Sequence, residues 1–401
     1  MRGVRTTRRV KRGDELMRIP RSIILDENIA DASPVSRIWS ESSGGGASAH
    51  PPPPAYARLA LMLLYERQRG EASPYAKYIN LLPSADDFAK EGGPTVLWSD
   101  EDLQLLECDK LIGDTRTRRE RVETSPVIGV EALQSQWETL ELGGPPPSLD
   151  DIRWAVAAVT SRAYGAQNEE GARLSLLIPM VDMANHAHPP NTAKGLEGSD
   201  FVVLAAEDMS RGAQVFLSYG PLPNQVLLSQ FGFVLPSSPT DFALVRCDAL
   251  ASAGNDPSMT AAIDAAAEAG LLMRDSNEGV SVWQPATPQL REAFRRLAES
   301  GALPLEWAEA AKAAGVGETA GVEEVGAAAY TALLKKTLGS YSSSVGEDKE
   351  ALKVEELRPR TRLALLWRVE QKAMLNRELA MVSSCGLAGR VKLDEILGAK
   401  D

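Results

Sequence analysis

Apolar positions along the chain change their period twice, and each change marks a different kind of element. From Tyr56 onward Leu59, Ala60, Leu63 and Leu64 recur at helical spacing and Gly70 follows, which predicts a core helix. A second helix is predicted from Ser148, whose hydroxyl caps while Asp151, three residues on, completes a capping-box pattern. Ile152, Val156, Val159 and Ala163 then share one face. Between Leu174 and Leu217 the pattern shortens to apolar runs, LSLLIPMVDM, FVVLAA and QVFLSY, separated by turns rich in Pro, Asn and Gly, and these read as strands. Beyond Asp256 helical periods return, over Thr260 to Met273, Gln289 to Glu299, Glu306 to Ala314, Val325 to Leu338 and Arg360 to Val382. Strands followed by helices predict an α+β chain with a separate helical domain. At the start, two alternating runs between Val4 and Pro20 flank Lys11-Arg12-Gly13-Asp14 and predict a β-hairpin. The stretch SESSGGGASAHPPPP, Ser40 to Pro54, joins flexible Gly/Ser to a stiff proline run and reads as a surface insertion.

Composition narrows the partners. Of the 401 residues 44% are apolar and 24% charged, the balance of a folded protein, so wholesale disorder is not expected. The longest apolar runs, Leu59 to Leu64 and Leu363 to Trp367, fall far short of the roughly 20 residues of a membrane-spanning helix, and no membrane partner is expected. A net charge of -12 argues against direct nucleic-acid binding, which depends on cations that displace counterions. Residues 1–21 depart from that balance, with eight Arg or Lys against Asp14 and Glu15, a pattern shared by organelle-targeting peptides and by the hairpin just described. Cys108, Cys247 and Cys385 lie more than a hundred residues apart and suit neither a disulfide framework nor a zinc site. A reducing compartment, cytoplasmic or plastid, is the simpler expectation.

Three short runs hold the candidate chemistry. Ile178 to His186, IPMVDMANH, sets Asp182, Asn185 and His186 among strand residues. By itself this reads as a buried polar cluster stitching strands together; a metal site would need His188 to join His186 and Asp182. Gly212 to Gly220 places Tyr219 where a strand ends, and the ring of such a tyrosine is commonly core with its hydroxyl satisfied at the rim. About 30 residues separate Asn185 from Tyr219, enough for a hairpin that brings them together. Phe231 and Phe233 flank Gly232 after a short helix from Asn224, and two such rings also serve as core filler.

Order and spacing together say more. RGVxTxxxVxxGDELxxIP at the start, SxYAKYINLLP at 73–83, SRAY at 161–164, IPMVDMANHxxxPN at 178–191, GxxVFLSYG at 212–220 and NxxLLxxFGFV at 224–234 resemble the SET-domain protein methyltransferases related to Rubisco large-subunit lysine methyltransferase. The region from Leu338 to Leu375 is similar to the helical substrate-binding domain that follows SET in that family.

The resemblance implies a knotted β fold over 1–239, a helical insertion at about 50–165, and an all-α substrate-binding domain over 240–395. It implies S-adenosyl-L-methionine as cofactor and a lysine amine of a non-histone protein as target, held through the SET channel and the helical domain. Arg2, Gly3 and Val4 match the first cofactor loop, Arg162 the arginine near the cofactor carboxylate, and Asp182 a neighbouring polar contact. Asn185 and His186 match the pair around the methionine moiety and adenine, and Phe233 the aromatic against adenine. Tyr219 matches the catalytic tyrosine, also at the cofactor, and Phe231 a wall of the lysine channel. The first loop departs from the family's acidic residue and Gly-x-Gly, because Met1-Arg2-Gly3-Val4 supplies only the second glycine; a shortened chain or weaker cofactor binding is expected from that. Two other outcomes remain open at this stage: histidine as target, and an inactive SET fold kept as a protein-binding module.

Overall fold

The helix expected from Tyr56 spans Ala55–Gln68 and ends before Gly70, whose φ of +55° is open to glycine at little cost. This computed structural model describes residues 3–40, 53–125, 127–142, 144–167, 173–248, 250, 257–274, 280–281, 283–316 and 320–386. Most of the expected insertion from Ser40 to Pro54 lies outside them. By contacts the chain divides into two units, one of residues 1–103 and 111–238, the other of 104–110 and 239–401.

In the first unit, Ala55–Gln68 is buried on nearly every face, from Leu59 through Glu66, so it runs through the core rather than along its edge. The partner helix Leu149–Thr160 starts where expected: Ser148 Oγ accepts from the Asp151 N–H at 3.2 Å, and Asp151 Oδ2 accepts from the Ser148 N–H at 3.1 Å. Ile152, Val156 and Val159 are buried, while Ala163 falls beyond the last turn. Arg67 stacks its guanidinium 4.5 Å from the Trp154 ring, closing the seam on the solvent side. Trp137, Leu133, Val122 and Ile38 complete this core.

The strands build a second core beside it. Glu15–Ile19 (β1) pairs antiparallel with Asp200–Ala205 (β6), which pairs with Thr192–Glu197 (β5), giving the order β1-β6-β5. Tyr164–Gln167 (β2) and Arg173–Leu176 (β3) form an antiparallel pair, and Asn185–His186 (β4) lies parallel to Phe216–Leu217 (β7). Ile19, Phe201, Val203, Ile178, Ala184, Val215 and Leu217 pack between them.

Two expectations about pairing are corrected. The turn at Lys11 to Asp14 is present, with Gly13 at φ +90° and the Asp14 N–H bonded to Lys11 O at 3.0 Å, but its arms do not form a hairpin. Instead both arms pair with one distant segment: β1 with β6, Val10 with Met209, and Arg5 with Gln214. The apolar alternation is satisfied equally by either partner, and the distant one also covers the core. Likewise only the first part of LSLLIPMVDM is strand; Met180 turns at φ +71° and Val181–Met183 is a 3-10 turn.

In the second unit the expected helices run over Pro257–Glu268, Pro288–Glu299, Leu305–Ala313, Val322–Gly339 and Pro359–Gly386. Phe294, Trp307 and Tyr330 stack at its centre. Besides helix its described residues include an antiparallel strand pair, Leu244–Arg246 (β8) with Trp283–Pro285 (β9), and a short helix Val345–Ala351, neither of which the periodicity marked.

Candidate active site

β4 and β7 fix the site. Asn185 faces Phe216 and His186 faces Leu217 in parallel register, so the two runs meet side by side, with the β5–β6 hairpin as the excursion between them. Asn191 locks the junction: its Nδ2 donates to Gln214 O at 2.9 Å and its Oδ1 accepts from the Phe216 N–H at 2.8 Å. The N-terminal segment closes the other side, the Val215 N–H donating to Val4 O at 2.8 Å. A Cβ on Gly3 would stand 2.9 Å from Asn185 Nδ2 and 2.8 Å from Gln214 Nε2, so the glycine admits those side chains. Arg2 lies outside the described residues.

Tyr219 follows β7 directly. Its hydroxyl donates to Ala184 O at 2.8 Å, and burial pushes its pKa up to about 12, so it stays protonated at neutral pH. With its proton committed to a carbonyl, the oxygen presents its lone pairs as acceptor. The Tyr219 N–H donates to His186 Nδ1 at 3.1 Å, Leu217 O lies 3.3 Å from the same nitrogen, and burial lowers the His186 pKa, which favours the neutral ring. The rings gather here as well. Tyr219 stacks on Phe231 at 5.0 Å, His186 lies 5.1 Å from Tyr219, and Phe233 meets His186 at 6.1 Å and Tyr219 at 6.3 Å.

Phe231 and Phe233 are aimed by the helix that precedes them. Asn224–Val226 runs into a π-type turn, Leu227–Phe231, which ends at Gly232 in the left-handed region, φ +77°. A Cβ at Gly232 would fall 2.4 Å from the Gly93 carbonyl carbon. Asn224, fully buried, clips the exit through both of its amide atoms to Leu235.

A cavity of about 440 Å³ opens beside Tyr219, lined among others by Arg162, Tyr164, Asp182, Lys194, Ser218 and Phe231. Arg162 donates from Nη1 to Asp182 O at 2.9 Å, while its buried Nε has no partner. Asp182 accepts from the Tyr78 hydroxyl through Oδ2 at 2.8 Å, and its Oδ1 is closed to solvent without a partner. The desolvation of that carboxyl raises its pKa to about 6, against the opposing pull of Arg162 and Tyr78. A guanidinium and a carboxyl lining one cavity fit a ligand with both an acidic and an amino group, as an amino-acid moiety has. No group of three or more His, Cys, Asp or Glu suited to a metal is found among the described residues.

Of the residues singled out in the sequence, Arg162, Asp182, Tyr219 and Phe231 line this cavity, His186 and Phe233 pack against Tyr219, Val4 bonds Val215, and Gly3 lies against Asn185. Three lining or supporting side chains were not anticipated: Tyr78, Tyr164 and Lys194. For Lys194 a signal existed, since it shares strand parity with Thr192, which is buried. Thr192 Oγ1 donates to Phe216 O at 2.7 Å and Lys194 Nζ to Ser218 O at 2.6 Å, so the inner face of β5 tracks the backbone leading to Tyr219.

The comparisons agree with this architecture. The SET domain family model matches residues 1–220, and the model described as Rubisco LSMT substrate-binding matches residues 250–375. The chain is 26% identical over 244 residues to the chloroplastic ribulose-1,5 bisphosphate carboxylase/oxygenase large subunit N-methyltransferase of Pisum sativum, covering 57% of this chain and 44% of that one. It is likewise 26% identical over 251 residues to the actin-histidine N-methyltransferase of Homo sapiens, covering 61% of this chain and 39% of the other. The matches thus span less than half the length of these two relatives. Among solved structures, the SET domain of LSMT bound to lysine and AdoHcy superposes with a TM-score of 0.66 at 20% identity, over 99% of this chain and 91% of that one. Rubisco LSMT bound to AdoMet gives 0.64 at 20% identity, over 99% and 92%.

Proposed function

Because the chain belongs to the SET-domain family, we propose that it uses S-adenosylmethionine to methylate the side-chain nitrogen of a lysine on another, non-histone protein. The observation that carries this reading is Tyr219, its hydroxyl proton held by Ala184 O and its ring forming one wall of a cavity shared with Arg162 and Asp182. When bound, S-adenosylmethionine supplies a methyl group on a positively charged sulfur. Arg162 and Asp182, which line the cavity, are the charged groups suited to its carboxylate and amino ends, and Asn185, His186 and Phe233 stand on the adjoining side with Gly3 and Val4.

The target amine must arrive neutral. At pH 7.4 only about one free lysine in a thousand is unprotonated. An apolar passage lowers the amine pKa by desolvation, and Tyr164, Ile178, Val181, Leu217, Tyr219 and Phe231 supply such walls. Neither Tyr219, with its raised pKa, nor His186, whose Nδ1 is engaged by the Tyr219 N–H, is placed to act as a base. Tyr219 therefore positions: its oxygen accepts an N–H of the amine or a polarised C–H of the methyl and aligns the two.

Similarity to the actin-histidine enzymes supports a second reading, an imidazole target. The lining favours lysine. The aromatic and aliphatic part of the lining suits a methylene stem, and among the cavity-lining residues there is no carboxamide to hold one imidazole nitrogen while the other reacts. Incubating a lysate with the protein and isotope-labelled S-adenosylmethionine, then sequencing the labelled peptides, decides between them. Label on lysine is expected; label on histidine overturns the lysine assignment. Calorimetric titration with S-adenosylmethionine tests the remaining reading, a SET fold retained only for protein binding, and a well-folded protein without affinity for it would establish that.

A further inference from the structure

Lys194 is a cation in an unusual place. It reaches from β5 into the cavity wall, its ammonium donates to Ser218 O at 2.6 Å, and the same nitrogen stands 4.3 Å from the centre of the Tyr164 ring. No carboxylate forms an ion pair with it among the described residues, although the chain as a whole carries a net charge of -12 and other half-buried cations described in this unit, such as Arg58 with Asp31 and Arg153 with Glu123, have such a partner. Of the charged side chains given for the cavity wall, Arg162 and Lys194 are set against Asp182. Asp182 is already engaged by Tyr78 and sits beside Arg162.

Holding a half-buried ammonium without a counter-charge is unfavourable, because a carbonyl and an aromatic face replace only part of its hydration. Desolvation accordingly lowers the Lys194 pKa to about 8, and below that pH the group remains charged. Such a site gains most when an anion arrives and completes it. The cofactor's carboxylate is assigned above to Arg162. Lys194 instead contacts Tyr164, a residue assigned above to the passage of the target, and shares the cavity lining with it and with Phe231.

We propose that Lys194 is a specificity-determining residue that pairs with an aspartate or glutamate close in sequence to the target lysine, so that the protein selects lysines in acidic surroundings. The proposal rests on the lysine-methyltransferase reading for the identity of the occupant. Its chemistry also follows from the pocket: a target flanked by basic residues would bring like charge against both Lys194 and Arg162, which disfavours it.

The test is a binding comparison that does not depend on turnover. Three fluorescent peptide pools, each centred on lysine with degenerate outer positions, carry Asp, Asn or Lys at the two positions on either side. Anisotropy titrations with the full chain and saturating S-adenosylhomocysteine should show the Asp pool binding at least tenfold tighter than the Asn pool, with the Lys pool weakest. Lys194→Met should abolish the difference between the Asp and Asn pools. Equal binding of those pools by the wild type, or a preference that survives in Lys194→Met, overturns the proposal. So does a loss of S-adenosylmethionine affinity in Lys194→Met, which would assign the ammonium to the cofactor. Mass spectrometry of the same pools after incubation with S-adenosylmethionine reports separately on methylation, so an acid preference without methyl transfer would refute the activity and not the recognition.

Discussion

At the scale of single residues, Tyr219 and Asp182 make opposite uses of burial. Burial keeps the Tyr219 hydroxyl protonated, and its proton is spent on Ala184 O, so its contribution is an oriented oxygen. Tyr219→Phe removes that oxygen and little else, and it is expected to lower turnover at least tenfold with S-adenosylmethionine affinity nearly unchanged, as single-turnover rates and calorimetry would show. Asp182 is held in a place that disfavours its charge, with Oδ1 unpartnered. Its folded pKa of about 6 exceeds the ordinary 3.8, so the folded state takes up a proton as pH falls through that window, and stability is lost as pH rises through it. Above pH 6 the destabilisation approaches about 3 kcal/mol. Asp182→Asn should therefore raise the melting temperature of the ligand-free protein more at pH 8 than at pH 5, while weakening S-adenosylmethionine binding. A gain independent of pH would mean that the carboxyl is not the source of the strain. Asn185→Ala and Arg162→Ala, each removing a polar group from the same site, should cost about 1–3 kcal/mol of cofactor affinity by calorimetry.

At the scale of elements, the helices were legible in the sequence and the strand partners were not, for a physical reason. A helix bonds within itself, so the Ser148 and Asp151 cap and the apolar rows state it locally. A strand states only that it alternates; which strand it joins is decided elsewhere in the chain, and so the arms around Gly13 were assigned to each other rather than to residues 200–215. The site was legible through the spacing of its motifs, since Asn185 and His186 form β4 and Tyr219 comes just after β7, a junction fixed by Asn191. Lys194 was missed because a lone lysine on a strand reads as solvated until its neighbours are known. The π-type turn that delivers Phe231 was also beyond periodicity, and its stop at Gly232 carries a strong expectation. Gly232→Ala places a Cβ against the Gly93 backbone in a left-handed conformation, and it should lower stability by at least about 2 kcal/mol and loosen the Phe231 and Phe233 rings, as denaturant melts and cofactor titration would detect. Phe231→Tyr tests the same element chemically. A phenol there can anchor a water against the amine where the phenyl ring cannot, so the wild type is expected to give di- or trimethyl-lysine and the variant mainly monomethyl-lysine, read by intact mass over time.

At the scale of the whole molecule, the second unit raises a question that truncation answers poorly. Residues 104–110 belong with it although they lie within the sequence of the first, and Glu107 bonds Ser342 and ion-pairs with Arg368. Ending the chain at 238 would strand that segment, with Leu106 buried and now uncovered, and would mix loss of stability with loss of recognition. A point change inside the unit separates the two. Asp348, buried, accepts from Arg368 and pairs with Lys372 at 2.6 Å, and Lys372 is itself buried against Ser343 O. Removing Asp348 leaves the buried Lys372 ammonium without its counter-charge, Arg368 keeping Glu107, and an uncompensated buried charge commonly costs about 3–5 kcal/mol. Asp348→Ala should thus lower the unfolding transition of the helical unit and leave S-adenosylmethionine affinity intact, because every residue assigned to the cofactor lies in the first unit. If the helical unit grips the protein substrate, as its match to a substrate-binding family suggests, turnover on the intact protein should fall well below turnover on a short peptide carrying the same lysine. Equal losses on both would mean that the unit serves only to keep the chain folded.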